Sequence, residues 1–292
     1  MKDLDFKKSM KGLDFEPIDH LNNKGKLVKA TKLPSQVVVM PKLNGVRMRW
    51  NPTKEALYTN NGNRVGSCDH IVGQIMANEE LRKWPLDGES YWHGPEYTFS
   101  YINGKTRRKQ SSKETEFLQF HIFDLALYDY ASMEKLNRLE FIKKMFGQGS
   151  VGNKLLRVPY GVLAPADIPQ AFKATLEKGY EGVMIFNPTA PYTEGKQAGT
   201  AWKWKPTHSR EDAFVGFEYA TEGRNVGTFA AIRLRMEDGQ EFTCAGISDD
   251  RKLALLKNPP HVGEPCTIEF GDLSDSGVPI FPRFVDTRWD EQ

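Results

Sequence analysis

The apolar positions give the first outline of the chain. Residues 36–40 are a short β-branched run. Residues 45–50 alternate strictly, with Val46, Met48 and Trp50 on one side and Arg47 and Arg49 on the other, which is the period of a half-buried strand. Residues 117–128 read as a buried strand, and 180–186 and 200–205 as two more. Three helical stretches lie between them. Asp69 is placed to cap a helix running towards Lys83, and Ser132 to cap one carrying Leu136, Leu139 and Ile142. Asp167 with Pro169 opens a third, which stops at Gly179.

After Pro206 the texture changes. Short strand patterns follow at 213–220, 228–236, 241–246, 264–270 and 280–285, with one helix at 248–257 that Pro259-Pro260 ends. Five strands with a single helix between the third and fourth suit a small Greek-key barrel of OB type. The expected fold class is therefore α+β. A domain of antiparallel sheets with helices spans 1–206, and a small OB-fold β-barrel spans 207–292.

Composition narrows the function classes. Forty basic residues stand against 38 acidic ones, so any contact with nucleic acid must come from local patches. No apolar run approaches the ~20 residues of a membrane span, and residues 1–12 mix both charge signs, so neither a membrane nor a secretory signal is expected. Three separated cysteines, Cys68, Cys244 and Cys266, form no CxxC pair and suit a reducing cytoplasm. Residues 147–152 fit GxGxxG, but they leave a helix and run towards a strand, the reverse of a dinucleotide fingerprint.

The chemistry-bearing residues begin at Lys42-Leu43-Asn44-Gly45-Val46-Arg47. Taken alone this is an ordinary hairpin turn between strands, but a lysine at a strand end followed by a glycine turn and an arginine can also attack phosphorus beside an anion. Further along come Asp87-Gly88-Glu89, Phe123-Asp124, Glu181-Gly182-Val183-Met184, and Lys203 with Lys205 on one face of an alternating strand whose other face carries Trp202 and Trp204. A lysine nucleophile, two acidic stations, an aromatic ring and a lysine pair make up a nucleotidyl-transfer site.

On these residues the chain resembles the covalent nucleotidyltransferases, most closely the small ATP-dependent DNA ligases of viral and phage type, from about residue 36 to the C-terminus. The resemblance implies that 1–206 is a nucleotidyltransferase (adenylation) domain. It implies that Lys42 becomes adenylated from ATP and that Arg47 helps to hold the nucleotide. Glu89 would contact the ribose, Phe123 would stack on adenine, and Lys203 and Lys205 would bind the α-phosphate. Glu181 and Glu89 would hold Mg²⁺, and Arg288, in a terminal RxD element, would serve the nucleotide. The implied partner is nicked duplex DNA, joined by a monomer in the cytoplasm. Three departures stand out. Asn44 replaces the family's aspartate, Thr59-Asn60-Asn61-Gly62 lacks the arginine that binds nick phosphate (Arg64 or Arg49 could substitute), and Glu291 replaces a terminal lysine. The basic run with Lys105, Arg107, Arg108, Lys109 and Lys113 is a second candidate for DNA phosphates. His121, Trp202 and Trp204 are expected in the core. An RNA ligase, a GTP-using capping enzyme and a non-catalytic nucleotide-binding relative remain as alternatives.

Overall fold

The structure is a computed structural model that describes residues 9–21, 27–94, 96–127, 133–146, 152–193 and 195–287. Internal contacts divide the chain into two compact units, Met1–Lys205 and Pro206–Gln292.

Ten strands of the first unit form two five-stranded sheets: β1 (Leu13–Asp14), β2 (Val37–Lys42), β3 (Val46–Asn51), β4 (Ala56–Thr59), β5 (Leu86–Tyr91), β6 (Gln119–Leu125), β7 (Leu155–Arg157), β8 (Gly161–Leu163), β9 (Gly182–Phe186) and β10 (Ala201–Trp204). The first sheet has the order β7-β6-β5-β3-β4 and the second β8-β2-β9-β10-β1. Pairing is antiparallel except for β6 with β7 and β10 with β1. The β-branched run is buried on both faces, as its lack of alternation requires. Val38 and Met40 join the main core, with Met48, Trp50, Phe120 and Ile122 of the other sheet. Val37 and Val39 pack with Ile168, Val183, Ile185 and Trp202 on the far side. Trp204 stacks on Phe172 there, at 4.1 Å between ring centroids.

The lysine turn is not a hairpin. β2 belongs to the second sheet and β3 to the first, so Leu43-Asn44-Gly45 carries the chain from one sheet to the other.

Helices α1 (Asp69–Met76), α2 (Phe99–Thr106), α3 (Lys135–Phe146) and α4 (Ile168–Glu177) cover the sheets. The expected helix to Lys83 is cut short. The Asn78 side-chain oxygen accepts from the backbone N–H groups of Glu80 and Leu81 and starts a separate 3₁₀ turn at Leu81–Lys83. Asp69 lies in the first turn of α1, with Cys68 at the cap position. The expected cap Ser132 lies outside the described residues, as does most of 147–152. α4 stops as expected at Gly179, at φ +82°. Helix α2 was not foreseen; Thr98 caps it by accepting from the Tyr101 N–H. Strand β6 starts two residues late, because a capped turn at Lys113–Thr115 precedes it.

The second unit contains β11 (His208–Tyr219), β12 (Phe229–Arg235), β13 (Glu241–Cys244), β14 (Pro265–Phe270) and β15 (Arg283–Thr287), with α5 (Asp249–Lys257) between β13 and β14. The sheet order is β13-β12-β11-β14-β15, antiparallel throughout. β11 is longer than expected because its first half pairs with β14 and its second half with β12. The expected closed barrel is not formed as a continuous ladder. Among the described residues its edges meet through one isolated parallel bridge, Ala245 with Arg283, since β13 ends after four residues. Breaks in register at Phe214/Gly216 and Glu218/Tyr219 bend β11 around a core that includes Phe229, Ile232, Leu234 and Ile268.

Candidate active site

The glycine of the lysine turn explains how the site is assembled. A Cβ on Gly45 would lie 2.3 Å from the Ser90 carbonyl oxygen and 2.8 Å from Glu89 Cγ. Only glycine lets β5 press against the turn this closely. The resulting register sets Glu89 opposite Arg47 on β3. On the second sheet, Gly182 allows a similar approach, its Cβ position falling 2.2 Å from the Trp204 carbonyl oxygen. That contact brings the chain past Glu181 into register with both Lys42 and the end of β10.

Glu181 consequently sits between two lysines. The Lys42 ammonium pairs with Glu181 Oε2, and Lys205 Nζ lies 3.6 Å from Oε1. The Glu181 N–H also donates to the Lys42 carbonyl oxygen at 3.1 Å. Lys203, on β10 opposite Met184 of β9, pairs with Asp14 of β1 at 3.2 Å.

The first sheet supplies the opposite wall. Arg47 donates to both oxygens of Asp87, at 3.0 and 2.5 Å, and to the Met10 carbonyl at 2.6 Å. The Tyr192 hydroxyl donates to Asp87 Oδ2 at 2.6 Å, and Asp87 is fully buried. Such a two-pronged contact fixes the guanidinium plane. The guanidinium lies 5.3 Å from the Phe123 ring centroid. Behind Phe123, the buried Asp124 receives hydrogen bonds from Lys135 at 3.0 Å and Arg138 at 2.7 Å, while Lys135 also donates to the Phe123 carbonyl. Burial pushes the Glu89 carboxyl up to about 8; Lys42 and Arg47 oppose the shift, and Asp87 and Glu181 reinforce it.

These walls enclose a cavity of about 250 Å³. Lys42, Arg47 and Glu89 line it with Met40, Phe123, Met184 and Phe186, and Met10 and Gly12 approach from the N-terminal segment. The fold thus brings together Lys42, Arg47, Glu89 and Phe123, with Glu181 and Lys205 joined to them through Lys42. Arg288 lies outside the described residues. Asp87 was expected only as an acidic station; the alternation of β5 was its one signal. Tyr192, Met10 and Gly12 carry none.

The candidate phosphate contacts separate. Arg49 is buried at 0% exposure, so the expectation that it meets DNA on the surface is corrected. Arg64 and Arg107 are exposed. Lys105 and Arg108 are both paired with Glu114, at 2.6 and 2.8 Å. This basic run begins in the last turn of α2, which packs on Ser90 through Thr106, the face of β5 opposite to Glu89. His121 is buried beside Gln119, and burial lowers its pKa to about 4, which suits a neutral core residue.

A cleft that sets a lysine against a carboxylate, with an arginine and an aromatic ring across an apolar floor, has the chemistry of a nucleotide-phosphate site. The ATP dependent DNA ligase domain model matches residues 24–205, and a DNA ligase OB-like domain model matches 221–288. The chain belongs to the ATP-dependent DNA ligase family. A DNA ligase of Halobacterium salinarum is 27% identical over 303 residues, 88% of this chain and 52% of that protein. One of Methanococcus maripaludis is 24% identical over 260 residues, 77% of this chain and 44% of its own. The chain thus spans about half the length of these relatives. A solved Lig E DNA ligase shares the fold at TM-score 0.73 and 21% identity, covering 95% of this chain and 99% of that one.

Proposed function

We propose that this chain seals 5′-phosphate/3′-hydroxyl nicks in duplex DNA with ATP as AMP donor, acting as a monomer in the cytoplasm. The observation that supports this most directly is the Lys42–Glu181–Lys205 cluster at the wall of the cavity. Lys42 Nζ attacks the α-phosphorus of ATP. A P–N bond forms as the bond to the pyrophosphate oxygen breaks. The ammonium must first give up its proton, and the Glu181 carboxylate is the acceptor in contact with it. A 5′-phosphate oxygen at the nick then attacks the same phosphorus, the P–N bond breaks, and Lys42 recovers a proton. Finally the 3′-hydroxyl oxygen attacks the 5′-phosphate and AMP departs. Each step is an in-line displacement that depends on positioning and charge neutralisation.

Arg47, held by Asp87, and Glu89 face the nucleoside side, and the Phe123 ring offers a stacking surface for the base. Lys203 and Lys205 neutralise the α-phosphate. Glu181 and Glu89 suit Mg²⁺, which takes one or two carboxylates and completes its shell with water and phosphate oxygens. The raised pKa of Glu89, which a nearby cation would bring down, fits such a donor. Among the described residues no group of three or more acidic, histidine or cysteine side chains forms a protein cage. A metal held there would supply charge neutralisation at the phosphates. Arg64 and Arg107 are the exposed candidates for DNA phosphates. No helix among the described residues is long and apolar enough to cross a membrane.

Incubation with α-labelled ATP or GTP tests the reading. ATP should yield a covalent adduct that peptide mapping places on Lys42, and Lys42→Ala should lose both the adduct and the sealing of an unadenylated nick. A GTP-specific adduct would favour the capping alternative. AMP on another lysine would refute the assignment.

A further inference from the structure

Beyond Glu89 the chain leaving β5 carries a second structured pair of side chains. Tyr91, on the same face as Glu89, is 5% exposed, and its hydroxyl lies 2.8 Å from His93 Nδ1. With that hydroxyl donating to Nδ1, the imidazole carries its hydrogen on Nε2. The His93 ring is solvent-exposed and lies flat on Tyr180, with centroids 4.2 Å apart and planes 21° apart. Tyr180 immediately precedes Glu181. Beneath them Tyr91 packs edge-on against His121 of β6, at 5.1 Å and 81°. Three separate segments thus meet around one exposed imidazole, which rests on the residue next to Glu181. None of the roles set out above uses it.

The charges around Lys42 indicate what such a group is for. Once Lys42 carries AMP its amine is bound to phosphorus and no longer cationic, and Lys203 and Lys205 serve the AMP phosphate. The nick's 5′-phosphate must then enter in line beside two carboxylates, Glu181 and Glu89, and it needs a hydrogen-bond donor on its exposed side. Building on the ligase reading, we propose that His93, backed by Tyr180, binds the 5′-phosphate of the nick, with Nε2 donating to a non-bridging oxygen. The site acts in the two DNA steps and leaves self-adenylation alone.

Single-turnover measurements on the full chain test this, using three readouts: adduct formation with ATP and no DNA, AMP transfer to a nick, and sealing of a chemically pre-adenylated nick. His93→Ala should form the adduct within about twofold of wild type and lose about ten- to a hundredfold in AMP transfer, the range for a hydrogen bond to a charged group. His93→Phe keeps the stack without the donor and should be equally impaired. Wild-type AMP transfer and sealing in either variant would overturn the proposal. So would a matching loss of adduct formation, which would make His93 a support of the nucleotide pocket. If the wild-type chain forms no adduct and seals nothing, it is the ligase reading that fails, and the two failures are thereby told apart.

Discussion

Removing the charge of Asp124 should be the most damaging conservative change in the first unit. Asp124, Lys135 and Arg138 are each about 1% exposed or less. Asp124→Asn keeps the shape and strands two buried cations without an anion. Breaking a buried pair in this way costs about 3–5 kcal/mol. In a unit of roughly 200 residues each kcal/mol moves Tm by about 2–4 °C, so the unit-1 transition should fall by about 6–20 °C. The transition of the second unit should stay in place. Differential scanning calorimetry reads both, with Lys83→Ala, in an exposed pair with Glu80, as a control expected within ~0.5 kcal/mol. The pH dependence follows from sign. The lysine and arginine overcome burial and hold the Asp124 carboxyl below its ordinary 3.8. Its contribution is therefore complete above about pH 4 and is lost as pH falls through the lower folded value. The part of the Tm gap that Asp124 carries should be present at pH 5 and close only in acid. A fall of less than about 2 °C at pH 7, under 1 kcal/mol on the same scale, would refute the claim that this triad fastens α3 behind Phe123.

Two further substitutions test the cleft. Lys203→Ala should slow adduct formation far more than Trp204→Phe, because Lys203 stands opposite the cavity-lining Met184 and is a proposed phosphate contact, while Trp204 stacks on Phe172; adenylation of Lys203→Ala at the wild-type rate would remove Lys203 from the proposed phosphate site. Asn44→Asp should leave single-turnover adenylation and sealing within a few-fold of wild type, since Glu89 and Glu181 already supply carboxylates. A gain of about tenfold, equal to ~1.4 kcal/mol, would show that the missing charge limits the reaction.

Period-two and β-branched patterns located β2, β3, β6, β9 and β10 to within a few residues, because buried β-branched and alternating positions leave a direct mark on composition; the short strands β1, β4 and β8 carried no such signal. The gathering of Lys42, Arg47, Glu89 and Phe123 around one cavity, with Glu181 beside Lys42, was legible for a different reason: these residue types stand in a fixed order along the chain. The partners that orient them were not. Tyr192 reaches Asp87 across 105 residues of chain and Met10 offers only a carbonyl oxygen to Arg47, and neither contact alters local periodicity. Alternation also misled at Arg49. It places the side chain on the arginine face of β3, but only the packing of neighbouring elements decides whether that face is open. Helix α2 escaped because its buried positions are few, Ile102 and Thr106, leaving the Thr98 cap as its one signal.

The turn that takes the chain from one sheet to the other divides the cleft by task. Lys42, Glu181, Lys203 and Lys205, to which the proposed function gives the phosphate, stand on or beside the second sheet; Arg47, Glu89 and Phe123, to which it gives sugar and base, stand on the first. The proposed function therefore puts donor preference and transfer chemistry on separate scaffolds that share one short crossing. On that reading, substitutions around Phe123 on β6 would change which base is accepted while Lys42 and Glu181 stay in place, so base preference and displacement chemistry can be redesigned separately.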